Sequence, residues 1–239
     1  MTSESLAAAI TRAGSPVTLM RNQNWPAFTF PVAPEFTNWR DEQRAWNSTV
    51  ALMDQSHHMT QLFLGGADLI PMLSSISPNT FGTFRPGVAK QLISVNKDGY
   101  LIGDGILFYN EDAPEGLVLI GHHLLIDWVR FNAEKAQAAG KDVHHRLEGN
   151  SHMRQGPPTF YRYELQGPQA DVVMEKVFGG PAPDIKFFHI GDVEIAGRPV
   201  KALRHGMAGQ PGFEFYGPWE DNEIVLNALM EAGAEHGIR

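Results

Sequence analysis

The sequence of 239 residues is 43% hydrophobic and 19% charged, which is typical of a globular protein with one large domain or two small ones. Its formal net charge of −8 argues against a nucleic-acid-binding protein, whose surface is expected to be basic. It contains no cysteine, which excludes disulfides, thiolate catalysis and cysteine-ligated metal centres. Because it has neither a signal-peptide pattern nor an apolar run near the ~18 residues of a membrane span, we expect a cytoplasmic protein.

The first 58 residues carry little regular pattern. Residues 5–13 predict a helix that ends at Gly14, and residues 38–47 predict a helix capped by Asn38. Residues 50–56 predict a buried strand. This segment is too sparse to fold alone, so we expect it to complete a later unit.

Two stretches then repeat a similar order of elements. The first predicts a strand at 61–64, a helix at 66–76, strands at 90–95, 100–109 and 116–120, a helix at 124–139 and an edge strand at 142–146. The second predicts a strand at 159–166, a helix at 168–177 with Pro168 in its first turn, a hairpin over 187–203 and a helix at 218–232.

This order predicts an α+β fold of two antiparallel-sheet lobes, each with helices packed on one face. The predicted boundaries place a ferredoxin-like lobe at 59–149. That lobe is inserted into a discontinuous lobe made of residues 1–58 and 150–239.

A glycine-rich loop near the carboxyl end leads into an apolar strand that carries one carboxylate, Glu214. Glycines in the loop let the backbone approach a ligand closely. Because side chains alternate along a strand, Glu214 is predicted to face away from Phe213 and Phe215. A carboxylate beside a backbone-lined cavity suits a flat heterocycle with adjacent N–H donors, such as a pterin.

A polar cluster, Asp54-Gln55-Ser56-His57-His58-Met59, follows the predicted strand at 50–56. Gln55 can donate and accept hydrogen bonds, and His58 can carry a proton near neutral pH. The alternative is that Asp54 and Ser56 cap the next element and that the histidines lie on the surface.

Two further positions are candidates for ligand contact. Asp104 lies between two glycines of an apolar strand, which predicts either a ligand contact or a bulge with a hydrogen-bonded aspartate. His122 lies where a strand meets the start of a helix, from which it can reach a cleft. Scattered basic residues that could hold a carboxylate are Arg85, Lys90, Arg162 and Arg204.

Three His-His pairs, at 57–58, 122–123 and 144–145, raise the question of a metal site. Adjacent residues of a strand point to opposite faces, so each pair supplies one ligand to a given centre. The sequence also lacks a helical His-Glu-x-x-His motif. We therefore expect no metal, and a metal-dependent hydrolase is the least favoured interpretation.

Several segments of the sequence resemble the folate-binding aminomethyltransferase superfamily, which includes the glycine-cleavage T-protein. Within it, the chain is most similar to the tetrahydrofolate-dependent O-demethylases of vanillate and syringate. The segments are Trp39-Arg40-Asp41-Glu42-Gln43, Asp54-Gln55-Ser56-His57-His58-Met59, Asp98-Gly99-Tyr100-Leu101-Ile102-Gly103-Asp104-Gly105, Tyr163-Glu164-Leu165-Gln166-Gly167-Pro168 and Arg204-His205-Gly206-Met207-Ala208-Gly209-Gln210-Pro211-Gly212.

The resemblance implies a T-protein-like fold without its C-terminal barrel domain, and methyl transfer from a methoxylated aromatic acid to N5 of tetrahydrofolate. Glu214 matches the carboxylate that binds the pterin, and Gln55 and His58 match the active-site glutamine and histidine. Asp104 and Met207 match cofactor-contacting positions, where the T-protein has its second aspartate and a tyrosine. His122 stands where vanillate demethylases have an arginine that binds the substrate.

The resemblance also leaves an alternative open. Gly103 replaces the first aspartate of the T-protein pair, and the family's C-terminal region does not follow Arg239. A non-catalytic folate-binding module, or an inactive fragment of such an enzyme, is therefore the second hypothesis.

Overall fold

Two antiparallel sheets packed face to face, with helices on their outer faces, form the fold. A computed structural model describes residues 4–21, 32–33, 35–110, 116–206 and 209–239. The α-helices in this part of the chain are α1 (Leu6–Ala13), α2 (Pro16–Arg21), α3 (Trp39–Ser48), α4 (Leu69–Ser75), α5 (His123–Ala138), α6 (Ala170–Phe178) and α7 (Asn222–Gly233). The strands are β1 (Ala51–Asp54), β2 (Thr60–Gly65), β3 (Ala89–Val95), β4 (Leu101–Tyr109), β5 (Leu117–Gly121), β6 (His144–Glu148), β7 (Phe160–Gln166), β8 (Ile190–Ile195), β9 (Arg198–Arg204) and β10 (Gly212–Pro218).

The strands of the described residues form two sheets of five. Sheet I has the order β1-β7-β10-β9-β8, and sheet II has the order β3-β4-β5-β2-β6. Neighbouring strands in both sheets pair antiparallel, and β6 lies at an edge, as the sequence predicts. The predicted α+β class with two antiparallel sheets is confirmed. We keep the lobe boundaries, 59–149 inserted between 1–58 and 150–239, as a proposal.

Side-chain alternation along the strands divides the core into three apolar layers. One layer packs sheet I against α6 and α7, and a second packs sheet II against α4 and α5. The third lies between the sheets, where Phe63, Phe108 and Val118 of sheet II meet Leu203 and Tyr216 of sheet I. The result is a helix–sheet–sheet–helix stack, in which the side chains at the centre of the two inner faces are shielded from water.

Local sequence signals explain most of the element boundaries. Ser5 and Asn38 cap α1 and α3 through their side chains, and Gly14 adopts a left-handed conformation after α1. In the hairpin between β8 and β9, Ala196 and Gly197 have φ angles of 50° and 73°. Two successive positive φ values make the turn type whose twist matches that of paired strands.

Four expectations about the elements were wrong. The strand predicted over 50–56 covers Ala51–Asp54, and Ala51 is its one buried residue, because the polar run after it forms a turn. Pro168 precedes α6, because Gly167-Pro168 is held in a turn by hydrogen bonds to neighbouring loops. The last helix begins at Asn222 after a short 3₁₀ turn, and α2 was not expected.

Candidate active site

The inner face of sheet I carries polar side chains on two neighbouring strands. Tyr161 and Tyr163 of β7 face the helices, so Arg162 and Glu164 face the other way. On β10, Phe213 and Phe215 also pack towards the helices. The prediction that Glu214 faces away from these two rings is confirmed, and its exposed fraction is 8%.

Glu214 forms a buried ion pair with Arg162. Arg162 Nη1 donates a hydrogen bond of 2.8 Å to Glu214 Oε1, and Arg162 is 2% exposed. The guanidinium carbon lies 4.5 Å from the ring centre of Phe108 and 4.8 Å from that of Tyr216. These contacts stabilise the guanidinium in its buried position and hold the carboxylate in one orientation.

The ion pair between Arg162 and Glu214 leaves buried polar atoms without hydrogen-bond partners among the described residues. Within the described part of the chain, the buried Arg162 Nε and Nη2 have no hydrogen-bond partner. Buried polar groups of this kind are uncommon unless water or a ligand satisfies them. A pterin carries both N–H donors and acceptor atoms, so this donor and acceptor set fits a pterin.

Tyr216 closes the apolar side of this pair. Its hydroxyl donates a hydrogen bond of 2.6 Å to Asn110 Oδ1, and its ring meets that of Phe108 edge to face at 5.5 Å. Burial raises the pKa of Tyr216 far above its ordinary value, so the side chain stays a neutral donor. Asn110 directly follows β4, so this bond ties sheet I to sheet II beside Arg162.

The loop between β1 and β2 brings Gln55 to the same face. The Gln55 N–H donates to the Arg162 carbonyl at 2.9 Å, and the Arg162 N–H donates to Ser56 Oγ at 2.9 Å. This anchoring places Gln55 Nε2 3.3 Å from Glu164 Oε2. The structure therefore joins Gln55 to the strands that carry Arg162 and Glu214.

His58 is half-buried at the end of the same loop. Burial lowers the pKa of His58, and the charge of His57 adds to this, whereas Asp54 and Glu164 act in the opposite direction. The neutral imidazole is therefore favoured at neutral pH. A neutral imidazole still has one N–H donor and one acceptor nitrogen.

The neighbouring His57 has a structural role instead. Its ring is buried, Arg154 Nη2 donates to its Nδ1 at 3.1 Å, and its Nε2 lies 3.5 Å from Asp54 Oδ2. Burial raises the pKa of Asp54, but hydrogen bonds from His57 and Ser56 outweigh it and hold that pKa below its ordinary value. Asp54 Oδ1 accepts a hydrogen bond of 2.8 Å from the Ser56 N–H within the turn, and the alternative that the histidines lie on the surface is wrong for His57.

Glu164 is the second buried carboxylate of this face. The register pairs it with Glu214 across β7 and β10, and its exposed fraction is 3%. His205 Nδ1 donates to Glu164 Oε1 at 3.1 Å. That hydrogen bond raises the pKa of His205, although burial opposes the rise. Two carboxylates can thus stay adjacent because each has its own cationic or donor partner.

Three of these residues had no assigned role in the sequence interpretation: Glu164, His205 and Arg162, the last of which was only one of four scattered cations. A signal for two of them was present, because alternation along 159–166 already places Arg162 and Glu164 on one face. What sequence could not supply was the pairing of β7 with β10, which brings that face beside Glu214.

Asp104 lies at the end of sheet II, exposed, and accepts a hydrogen bond of 2.7 Å from Gln91 Nε2. Asp104 itself pairs regularly with Ile93, and the register shift between Ser94 and Val95 of β3 falls opposite Gly103 and Leu101, next to the glycine that precedes Asp104. The glycine at 105 serves packing instead: a Cβ there would lie 2.7 Å from Leu125 Cδ2 of α5 and 2.4 Å from a backbone oxygen. A ligand contact by Asp104 stays a prediction.

His122 caps α5, with its Nδ1 accepting from the Leu124 N–H at 3.4 Å, and its exposed ring lies 4.0 Å from that of His123. The register pairs Gly121 with Thr60, two residues after His58, so His122 and the loop lie at the same end of sheet II. Its substrate role stays a prediction. Met207 lies outside the described residues.

Two surface hollows lie elsewhere. One of ≈ 580 Å³ follows α3 and is lined by Trp39, Arg40, Gln43, Arg44, Asn47 and Ser48. The other, of ≈ 340 Å³, is lined by Arg146, Leu147, Glu148, Gly149, Met153, Arg154, Gln155 and Pro157. Neither includes Glu214, Gln55 or His58, so the candidate site rests on the chemistry of the polar face.

The described ranges contain neither a cluster of metal ligands nor a helix that could cross a membrane. Their His, Asp and Glu side chains form no group of three or more that could hold a metal ion. Their helices include none with the length and apolar character needed to cross a membrane.

The sequence matches a known family. The family model for the GCVT N-terminal domain matches residues 12–239, so the chain belongs to this family. The resemblance to the folate-binding aminomethyltransferases is thereby confirmed, and membership identifies tetrahydrofolate as the cofactor.

Two curated relatives and one solved structure show the range of similarity. The chain is 43% identical to a syringate O-demethylase from Sphingobium sp. (strain NBRC 103272 / SYK-6), over 98% of this chain and 50% of that protein. It is 29% identical to an aminomethyltransferase from Exiguobacterium sibiricum, over 87% of this chain and 54% of that protein. The chain thus spans about half the length of the curated relatives it matches.

The structure of aminomethyltransferase T of the glycine cleavage system from Bartonella henselae shares the fold. Its TM-score is 0.60 at 19% identity, over 83% of this chain and 49% of that one. At this identity the likeness concerns the fold alone.

Proposed function

We propose that this chain is the folate-binding part of a cytoplasmic O-demethylase that moves a methyl group from a methoxylated aromatic acid, of the vanillate or syringate type, to tetrahydrofolate. The observation that carries the proposal is the buried Glu214, whose neighbouring strand β7 is hydrogen-bonded to the loop that carries Gln55 and His58. The 43% identity to a syringate O-demethylase supports this substrate class over an aminomethyl donor. A role in the breakdown of lignin-derived aromatic compounds is part of the same proposal.

Each proposed role follows from the chemistry of the side chain. Glu214 accepts hydrogen bonds from adjacent N–H groups of the pterin, and Arg162 keeps the carboxylate oriented for this. Asp104 and Met207 are proposed cofactor contacts, and His122 is a proposed contact of the aromatic acid. Tetrahydrofolate, when bound, supplies the nitrogen N5 that accepts the methyl group.

Gln55 and His58 are proposed to orient or polarise the phenolic group of the substrate, with His58 beside the aryl ether oxygen. When the bond between the methyl carbon and this oxygen breaks, the electron pair stays on the oxygen, which becomes a phenolate. A hydrogen bond from the N–H of neutral His58 stabilises that charge, and Gln55 orients the aromatic ring. Because burial favours neutral His58, its N–H is a hydrogen-bond donor at pH 7.

Titration with tetrahydrofolate, followed by addition of vanillate or syringate, tests the proposal. We expect binding of tetrahydrofolate and formation of 5-methyltetrahydrofolate together with the demethylated phenol. Glu214→Gln should weaken tetrahydrofolate binding by about 10- to 100-fold, because it removes a charged acceptor. The matched control is Glu194→Gln, an exposed glutamate on strand β8 of the same sheet.

The second variant separates binding from chemistry. His58→Ala should lower the methyl-transfer rate by about 100-fold or more while tetrahydrofolate binding stays close to that of the unaltered chain. His144→Ala, at an exposed histidine of β6, is its control. Folate binding without methyl transfer would support the non-catalytic module, and absence of folate binding would refute both hypotheses.

A further inference from the structure

Glu164 occupies an unusual position for a residue without an assigned role. It is buried, and its neighbour across the sheet, Glu214, is also a carboxylate. Like charges directly opposite each other on a sheet destabilise the pair. A buried carboxylate that serves packing alone would be replaced by an apolar residue at little cost, so its partners should indicate its role.

Both oxygens of Glu164 are engaged, and by different partners. Oε1 accepts from His205 Nδ1 at 3.1 Å, and Oε2 accepts from Gln55 Nε2 at 3.3 Å. His205 is itself held, because Gln166 Nε2 donates to its carbonyl at 3.1 Å and its ring packs beside Phe188 at 5.6 Å. The carboxylate is thus fixed from one side and presents its second oxygen to Gln55.

This geometry determines the orientation of the Gln55 amide. An ionised carboxylate only accepts hydrogen bonds, so the NH₂ group of Gln55 must face Glu164. The carbonyl oxygen then points away from Glu164. Gln55 is half-buried, and the backbone of its loop is fixed by Arg162 and Ser56, so the amide is the part of this residue still free to rotate.

We propose that Glu164, held by His205, is a positioning residue that orients the Gln55 amide so that its carbonyl oxygen is presented to a hydrogen-bond donor of the bound ligand. This inference rests on the proposed function for the role of Gln55. It adds that the ligand group beside Gln55 is a donor, such as a hydroxyl or N–H. Without Glu164 the amide samples both orientations, and part of the population presents the wrong group.

The first arm of the test needs no activity. Glu164→Gln should lower the pKa of His205, measured by NMR titration of the histidine ring, and should shift the Gln55 side-chain amide signals, assigned through Gln55→Glu. The charged groups that act on His205 are Glu164 and Glu214, and the second is unchanged in this variant. Glu175→Gln, at an exposed glutamate of α6, should leave both signals unchanged.

The second arm is a double-mutant cycle on methyl transfer to tetrahydrofolate with vanillate. Glu164→Gln should lower kcat by about 10- to 100-fold, with the KM for tetrahydrofolate changed less than about 2-fold, because a misplaced group costs rate while Glu214 is intact. Combined with Gln55→Ala, it should cause no further loss, because Glu164 acts through Gln55.

Two results would overturn the inference: unchanged His205 and Gln55 signals in Glu164→Gln, or additive losses of rate in the cycle. If the unaltered chain binds tetrahydrofolate but transfers no methyl group, the proposed chemistry fails. The NMR arm then decides separately whether Glu164 orients Gln55.

Discussion

The facing surfaces of the two sheets differ in kind. Sheet II contributes apolar side chains to the interface, among them Phe63, Phe108 and Val118. Sheet I contributes Leu203 and Tyr216, but beside them it buries charged and polar groups, which are Arg162, Glu164, Gln166 and Glu214. Burying charge costs several kcal/mol of desolvation per group even when ions pair, whereas burying apolar area stabilises the fold.

This difference indicates where function lies. An interface needed only for stability would be apolar on both sides, as the surface of sheet II nearly is. The charged half on sheet I is retained against its energetic cost, and its atoms without partners fit a polar ligand. The aromatic rings of Phe108 and Tyr216, which both contact the guanidinium of Arg162, show how the apolar surroundings accommodate its charge.

Removing the guanidinium of Arg162 should have the largest effect on the free energy of unfolding. Arg162→Met leaves Glu214 as a buried carboxylate without its ion-pair partner, and we expect a loss of about 3–5 kcal/mol in the free energy of unfolding, measured with urea. Arg198→Met, at a half-exposed arginine 3.5 Å from Asp221, should cost no more than about 1 kcal/mol.

The double variant Arg162→Met with Glu214→Leu sharpens the same comparison, because it makes the face of sheet I resemble that of sheet II. It should recover most of the lost stability and still fail to bind tetrahydrofolate. If Arg162→Met proved as mild as Arg198→Met, the buried ion pair would not hold this interface together.

Removing one hydroxyl between the sheets should have a smaller effect. Tyr216→Phe deletes the 2.6 Å bond to Asn110 and leaves the buried Oδ1 without its donor, so we expect a loss of about 1–2 kcal/mol in the free energy of unfolding. Tyr100→Phe, at a tyrosine that is 72% exposed, should change it by less than about 0.5 kcal/mol. Equal losses in the two variants would contradict the role of Tyr216 as a tie between the sheets.

Much of the fold could be predicted from the sequence because its signals are local. Asn38 caps its helix, Ala196-Gly197 turns its hairpin, and alternation assigns Glu214 to the opposite face from Phe213 and Phe215. Predictions were less reliable where a local sequence pattern was compatible with two structural causes. The glycines around Asp104 suggested a bulge or a ligand, yet Gly105 lies against Leu125 of α5.

The site was only partly predictable because it depends on strand pairing. Glu214 was identified from its own strand, but its partner Arg162 is 52 residues away and had no distinguishing local pattern. Glu164 and His205 are 41 residues apart and meet only because β7 pairs with β10 and β10 with β9. Long-range register of this kind is set by the whole sheet, and a single sequence does not show it.

The smallest expected effect is on the pH dependence of stability, through His205 and His58, whose pKa shifts are opposite in direction. The pKa of His205 is raised by Glu164, so its stabilisation is fully present below the unfolded pKa of about 6.5 and is lost as pH rises through the higher folded pKa. The pKa of His58 is lowered by burial, so the folded state loses stability relative to the unfolded state as pH falls below about 6.5.

Unfolding free energies at about pH 5.5 and about pH 8.5 separate the two. The difference in free energy of unfolding between the unaltered chain and His205→Gln should be larger at the lower pH. The corresponding difference between the unaltered chain and His58→Gln should be larger at the higher pH. The groups that act on His205 are Glu164 and Glu214, and those that act on His58 are Asp54, His57 and Glu164. The same pH dependence in both variants would show that Glu164 does not hold His205 as the charged partner of the polar face.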